Sequence, residues 1–330
     1  MRHRRPLLAF AAVCLVLSSR ALAREIYVNN VAGDDRHSGH APRAASGGLG
    51  PTRTLTRALR VARAGDHMIV ANTGQPYRES ITLEASRHSG TSLRPFIISG
   101  NGAVLDGTLP VAAADWRHDQ GAVFRFRPER LSYQQLFLDR LPATRQEAPR
   151  GSSAPPPLKP LEWCLWQDNI YFRIEPGRTL DSYPLAHAGL PVGITLYNVR
   201  GVVIADLIVQ GFQRDGVNAH DNVFDSQLLG LTARGNGRSG ISVGGASRVL
   251  IEACLVGNNG LAQVRTEGWS QVEVRQSDLI PNTAPGWVVE GGRLTIDGRR
   301  VEGRDPEFSA NAARSGLRGQ RLDARLAERP

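Results

Sequence analysis

The residues best placed to do chemistry lie between positions 215 and 290, where acidic, basic and amide side chains recur every 24, 23 and 23 residues. Asn218, Ser242, Arg265 and Val288 form one series; His220, Gly244, Glu267 and Glu290 form a second, two residues further on. Asp215, Asp221 and Gln263 flank them. An arginine and a histidine together suit removal of a carbon-bound proton next to a carboxylate. Arg265 would offset the carboxylate charge and His220 would take the proton. Two carboxyl groups suit cleavage of an acetal, with Glu267 and either Asp221 or Glu290 as the pair, their separation setting the stereochemical outcome. In either chemistry Asn218, Asp215, Ser242, Gln263 and Glu290 are expected to contact the substrate. The competing reading is a solvated face on which Arg265 and Glu267 pair with neighbours, since exposed ion pairs are common and contribute only about 0–1 kcal/mol.

Hard oxygen ligands gathered in one loop also suit calcium, with Asp215, Asp221 and Asp225 as expected ligands and Asn222 beside them. The same side chains can instead bond nearby backbone N–H groups in an Asx turn. Asn236, Asn258 and Asn259 recur at one turn and are expected to adopt left-handed conformations or stack as a buried amide ladder. Gly240, Gly244 and Gly245 would leave the middle repeat bare to a chain-like ligand.

Residues spaced this way need a scaffold that repeats. Ile204, Leu228, Ile251 and Val274 form one column; Leu207, Leu231, Cys254 and Ser277 a second; Val209, Ala233, Val256 and Leu279 a third. Val217, Ile241, Val264 and Trp287 form a fourth that reaches back to Ile194, and Leu196, Ala219, Val243, Thr266 and Val289 a fifth. Positions two apart that share a period of 23 to 24 residues describe short strands, one face inward, stacked one per coil. A leucine-rich repeat of similar length would need its Leu-x-x-Leu-x-Leu signature, which does not recur. The fold class is all-β, a parallel β-solenoid.

The 330-residue chain carries a formal net charge of +9, and its basic side is arginine except for Lys159. Arg2, Arg4 and Arg5 precede an apolar run over 7–17 and the small-x-small Ala21-Leu22-Ala23, so residues 1–23 are expected to be a signal peptide. That run is far shorter than the roughly 20 residues needed to span a bilayer. The expected mature chain is exported, has no membrane span and works as a monomer. Removing Arg2, Arg4, Arg5 and Arg20 with the signal leaves 9 − 4 = +5. The arginines are scattered, which argues against nucleic acid and is compatible with an acidic polysaccharide. Of three cysteines, Cys14 lies in the signal, leaving Cys164 and Cys254, which form no disulfide framework and no metal cluster.

Residues 24–108 are expected to hold a cap and the first coils. Thr52 or Thr54 starts a helix whose Leu55, Ala58, Leu59 and Ala62 cover the open end of the solenoid. Residues 109–178, with Trp116, Trp163, Trp166 and a Pro-rich stretch over 154–160, break the pattern and read as an inserted antiparallel β subdomain. Regular coils fill 179–302 and a tail 303–330. The three tryptophans would stack on sugar rings or pack the insertion.

Several segments resemble the opening of secreted right-handed parallel β-helix proteins of the pectate-lyase-like superfamily. They are Tyr27-Val28-Asn29 with Gly33-Asp34-Asp35, Gly65-Asp66-His67-Met68-Ile69-Val70, Tyr77-Arg78-Glu79-Ser80-Ile81 and Val104-Leu105-Asp106-Gly107. Leu136-Phe137-Leu138-Asp139 and Leu158-Lys159-Pro160-Leu161-Glu162-Trp163 resemble a segment of bacterial members. The resemblance implies a right-handed β-helix and a polysaccharide ligand. It does not carry a specific activity, because the Asn-Thr-Asp and Gly-His-Gly segments of polygalacturonases and the Trp-Ile-Asp-His segment of pectate lyases are absent. The expectation is a lyase or other glycan-cleaving enzyme acting on an acidic polysaccharide, against a non-catalytic carbohydrate-binding or cell-surface β-helix.

Overall fold

A computed structural model describes residues 23–85, 87–129, 133–149 and 151–311. The expected signal peptide, up to residue 22, and the tail beyond 311 lie outside them. The described chain is a parallel β-helix whose coils are built on two long sheets.

The second of these sheets stacks Ile81–Glu84, Ile194–Tyr197, Asp215–His220, Ser239–Val243, Ala262–Thr266 and Trp287–Val289, all parallel. Its register places Ile194, Val217, Ile241, Val264 and Trp287 side by side and extends the column back to Ile81. The first sheet stacks Ile204, Leu228, Ile251 and Val274 in register, flanked by Ile98 and Ile296. Most positions in these two columns are β-branched or leucine because two-residue alternation sends each alternate side chain into a core bounded above and below by its own equivalents. Val217, Ile241 and Val264 are fully buried.

The corner between the first and second columns has a specific backbone cause. Asp206, Gly230, Ala253 and Gln276 all have positive φ, from 46° to 62°, so one left-handed residue turns each coil at the same point. The next corner is braced by side-chain amides, as expected for Asn236 and Asn259. Asn236 Nδ2 donates to Asn259 Oδ1 at 3.1 Å, and both residues are fully buried. Asn258 pairs with Asn282 in a parallel outer ladder.

At the N-terminal end the helix Leu55–Val61 buries Leu55, Ala58 and Leu59 on the core, with Thr54 Oγ1 accepting from Arg57 N. Glu79 adds acceptors for the N–H groups of Leu55 and Thr56, completing the N-terminal turn. At the C-terminal end Arg293–Ile296 folds back antiparallel onto Arg299–Val301, and the helix Pro306–Asn311 follows.

The insertion leaves the coil after Phe96–Asp106 and returns at Ile194–Tyr197, where later coils use only a tight turn. It contains a five-stranded sheet around Val123–Phe126, Glu162–Trp166 and Asn169–Arg173, and a four-stranded sheet that includes Thr108–Pro110 and Leu185–Ala188. Trp163 and Phe172 are fully buried in its own core, and Trp116 is 6% exposed. The insertion rests on the turns of the next coils: Cβ atoms added at Gly235 and Gly237 would fall 2.6 Å from Phe137 Cζ and 2.7 Å from Tyr133 Cβ.

Candidate functional site

The outward row on the second sheet exists in the expected register. Asn218, Ser242, Arg265 and Val288 are strand neighbours, and Tyr197 lies beside His220. Successive coils are about 4.8 Å apart, so Tyr197, His220, Gly244, Glu267 and Glu290 span roughly 19 Å along the solenoid.

Within that row the side chains sort into two groups. Arg265 Nη2 lies 2.7 Å from Glu267 Oε2 and also donates to Glu290 Oε2, so one guanidinium nitrogen serves two carboxylates. The arginine side chain is only 14% exposed, whereas those of Glu267 and Glu290 are 41% and 52% exposed. Arg265 Nη1 and the neighbouring Ser242 hydroxyl are buried without a hydrogen-bond partner among the described residues. Orphaned buried polar atoms cost about 1–3 kcal/mol each and tend to mark places where stability is not what is optimised. In the second group, His220 Nδ1 lies 3.3 Å from Asp221 Oδ1 and the His220 ring is 5.1 Å from that of Tyr197.

Several expectations need correction. Asp215 does not face a ligand. It is fully buried, and its carboxylate takes a 2.9 Å hydrogen bond from Arg238 Nε as one half of an internal ion pair. Gln263 is fully buried because its amide braces the asparagine ladder, accepting from Asn259 Nδ2 at 2.8 Å and donating to Ala284 O at 3.1 Å. Ser242 sits in the row yet is fully covered. Asp221 and Asp225 are exposed turn residues with φ of 68° and 50°. Among the described residues no group of three His, Cys, Asp or Glu can hold a metal ion, and Asp215 is committed to Arg238, so the expected calcium ligands do not assemble. The pairing of Arg265 with His220 for proton abstraction also fails as geometry. They stand two coils apart, and the arginine is occupied by Glu267 and Glu290. Asp221 is likewise two coils from Glu267, which leaves Glu290 as its carboxyl partner.

The glycines do not form a bare groove. A Cβ at Gly240 would strike Val256 Cγ1 at 2.3 Å, one at Gly244 would lie 2.9 Å from Glu267 Cγ, and one at Gly245, at φ +63°, would fall 2.4 Å from Asp221 O. They permit coil-to-coil approach and give Glu267 room to lie across its neighbour.

One residue was missed. Trp269 is 85% exposed, and its backbone N–H donates to Gly245 O at 2.8 Å, which stacks its turn on the Gly244-Gly245 turn of the preceding coil. Its position two residues beyond Glu267, just past the alternating strand, was the available signal. The tryptophans singled out instead, Trp116 and Trp163, serve the core of the insertion, and Trp166 packs edge-on against Tyr171 there.

A second region carries exposed, loosely paired charge. A cleft of about 1100 Å³ lies where the insertion meets the coils, lined among others by Arg117, Arg125, Arg127, Asp115, Glu129 and His187. His187 is 8% exposed; burial pushes its pKa below the usual histidine value, and the residue faces Gln134 Oε1 through Nδ1 at 3.4 Å.

No family model and no curated protein matches the chain. Among solved structures it is similar to one described as a glycoside hydrolase, at 11% identity and a TM-score of 0.57, covering 84% of this chain and 74% of the other. A structure of XylC with xylose aligns at 12% identity over 82% and 69% of the two chains (TM-score 0.42). The pectate lyase Pel9A aligns at 11% identity over 77% and 62% (TM-score 0.29). At such identities the likeness to the glycoside hydrolase structure speaks to the fold alone, and the sheet register agrees with it: the chain is a right-handed parallel β-helix.

Proposed function

We propose that this protein is an exported glycoside hydrolase that cleaves a polysaccharide on the outward face of the second sheet, with Glu267 and Glu290 as its two carboxyl groups. The observation that carries the reading is their shared hydrogen-bond donor, Arg265 Nη2. Two oxygens that accept from one nitrogen, each at about 3 Å, lie no more than about 6 Å apart. Carboxyl groups about 5–5.5 Å apart belong to the double-displacement route with retained configuration, and separations of about 6.5–9.5 Å to single displacement with inversion. The nearest oxygens of the pair match the shorter separation, that of the retaining route. One carboxylate attacks the anomeric carbon while the other, as the acid, protonates the departing oxygen. The second then takes a proton from water, and that water displaces the enzyme carboxylate from the sugar. Arg265 positions both groups, and Trp269 and Tyr197 offer exposed ring faces for sugars.

The test is an activity screen of the expected mature chain on acidic and neutral polysaccharides. Reducing ends and the ultraviolet absorbance of unsaturated products are both followed, and the anomer first released is read by NMR. Reducing ends without unsaturated product, with retained configuration, are expected. Unsaturated product would instead establish a lyase. Binding without cleavage on every substrate would leave a carbohydrate-binding β-helix. Azide added to Glu267→Ala and Glu290→Ala separates the roles. The nucleophile variant yields a glycosyl azide of inverted configuration, and the acid/base variant one of retained configuration.

A further inference from the structure

We infer that the cleft between the insertion and the coils is a separate binding site for an acidic saccharide, whose carboxylate or sulfate group is held by Arg117, Arg125 and Arg127. Arg117 and Arg125 are directly opposed across two antiparallel strands, an arrangement of like charges that is unfavourable unless an anion relieves it. Arg127 follows two residues on, so alternation returns it to the side of Arg125. Compensation from the protein is thin. Asp119 Oδ1 stands 3.9 Å from Arg125 Nε and Asp168 Oδ2 3.5 Å from Arg127 Nη2, while Arg125 and Arg127 keep 45% and 65% of their side-chain surface exposed. Arg117 is exposed and makes no ion pair among the described residues.

The other lining groups select the kind of anion. Asp115 and Glu129 belong to the same cleft and would repel a densely charged polyphosphate, yet they accept hydrogen bonds from sugar hydroxyls. Asn169 adds an amide, and Leu109, 45% exposed, offers an apolar wall. His187 is more than nine-tenths buried and lines the same cavity, with Nδ1 facing Gln134 Oε1. A ligand with few, spaced negative charges and many hydroxyls satisfies all of these groups together.

Calorimetric titration of the full chain tests the inference with four probes: a short oligogalacturonate, the same oligosaccharide after reduction of its carboxyl groups, a sulfated oligosaccharide and inorganic triphosphate. Binding of the uronate or the sulfated probe, at least tenfold tighter than that of the carboxyl-reduced chain and the triphosphate, is expected. The better of the two names the anionic group. Arg117→Glu and Arg127→Gln, both exposed, should each weaken that binding at least tenfold without moving the melting temperature, while Glu267→Gln leaves it unchanged. Equal binding of the neutral chain, no binding of either acidic probe, tightest binding of triphosphate, or a loss that follows Glu267→Gln instead of the arginines would each overturn it. Because binding and not cleavage is read, failure here is distinct from failure of the hydrolase reading.

Discussion

The outward row and the insertion cleft use arginine in opposite ways. Arg265 is nearly covered and shared between two carboxylates one coil apart in its own sheet, whereas Arg117 and Arg125 are exposed and face one another across a strand pair. The solenoid brings equivalent positions into contact every 23 or 24 residues, so charges placed there meet partners by construction. The insertion has no such repeat, and its charges remain available to a ligand. Positional periodicity therefore brings charges into contact, and irregularity leaves them exposed.

The sharpest way to break this contrast is to neutralise one carboxyl of the row. Glu267→Gln and Glu290→Gln should each lower the rate of glycan cleavage about 10²–10⁴-fold while the melting temperature stays close to that of the parent. Full activity in both variants would reduce the row to a solvated ion-pair cluster. Nearly as large, but on stability alone, is removal of the buried partner in the two preceding coils. Arg238→Ala strands the Asp215 carboxylate and should cost about 3–5 kcal/mol by denaturant unfolding. A parent-like midpoint would mean that Asp215 is reached by solvent.

The tryptophans sharpen the comparison by separating binding from stability. Trp269→Ala should weaken glycan binding by about 1 kcal/mol with no change in melting temperature, because the ring is 85% exposed. Trp163→Ala should do the reverse, destabilising the insertion core by about 3–5 kcal/mol. The smallest effect is in pH. Burial lowers the pKa of His187 and of His88 below the ordinary 6.5, so the unfolded chain binds more protons than the folded one as the solution is acidified. Stability should be complete above pH 6.5 and fall as the pH drops from there toward the lowered folded values. His187→Gln should flatten part of that slope in unfolding curves taken at pH 5, 6 and 7.

Much of the fold was legible because a solenoid writes its contacts into its period. Ile241 and Val264 sit side by side for the same reason that they stand 23 residues apart, so the inward columns could be aligned without coordinates. The cap was legible through Thr54 and the Leu55, Ala58, Leu59 face. Outward residues were less so, since alternation gives the direction of a side chain but not what covers it. Gln263 alternates with inward Val264 and is nonetheless sealed by the asparagine ladder, whereas Asp215 shares the inward alternation of Val217 and Ala219 and is met there by Arg238.

The sequence by itself determined the parallel coils, their register, the capped end and the alignment of Glu267 with Glu290, all of which follow from local periodicity and the alternation of strands. Only the tertiary structure decided that Arg265 joins those two carboxylates, that Trp269 and not Trp163 is free to meet a ligand, and that three arginines of the insertion border a cleft. Those outcomes depend on side-chain reach across coils and on packing between segments with no common period, where electrostatics and excluded volume act through space and leave no mark in spacing along the chain.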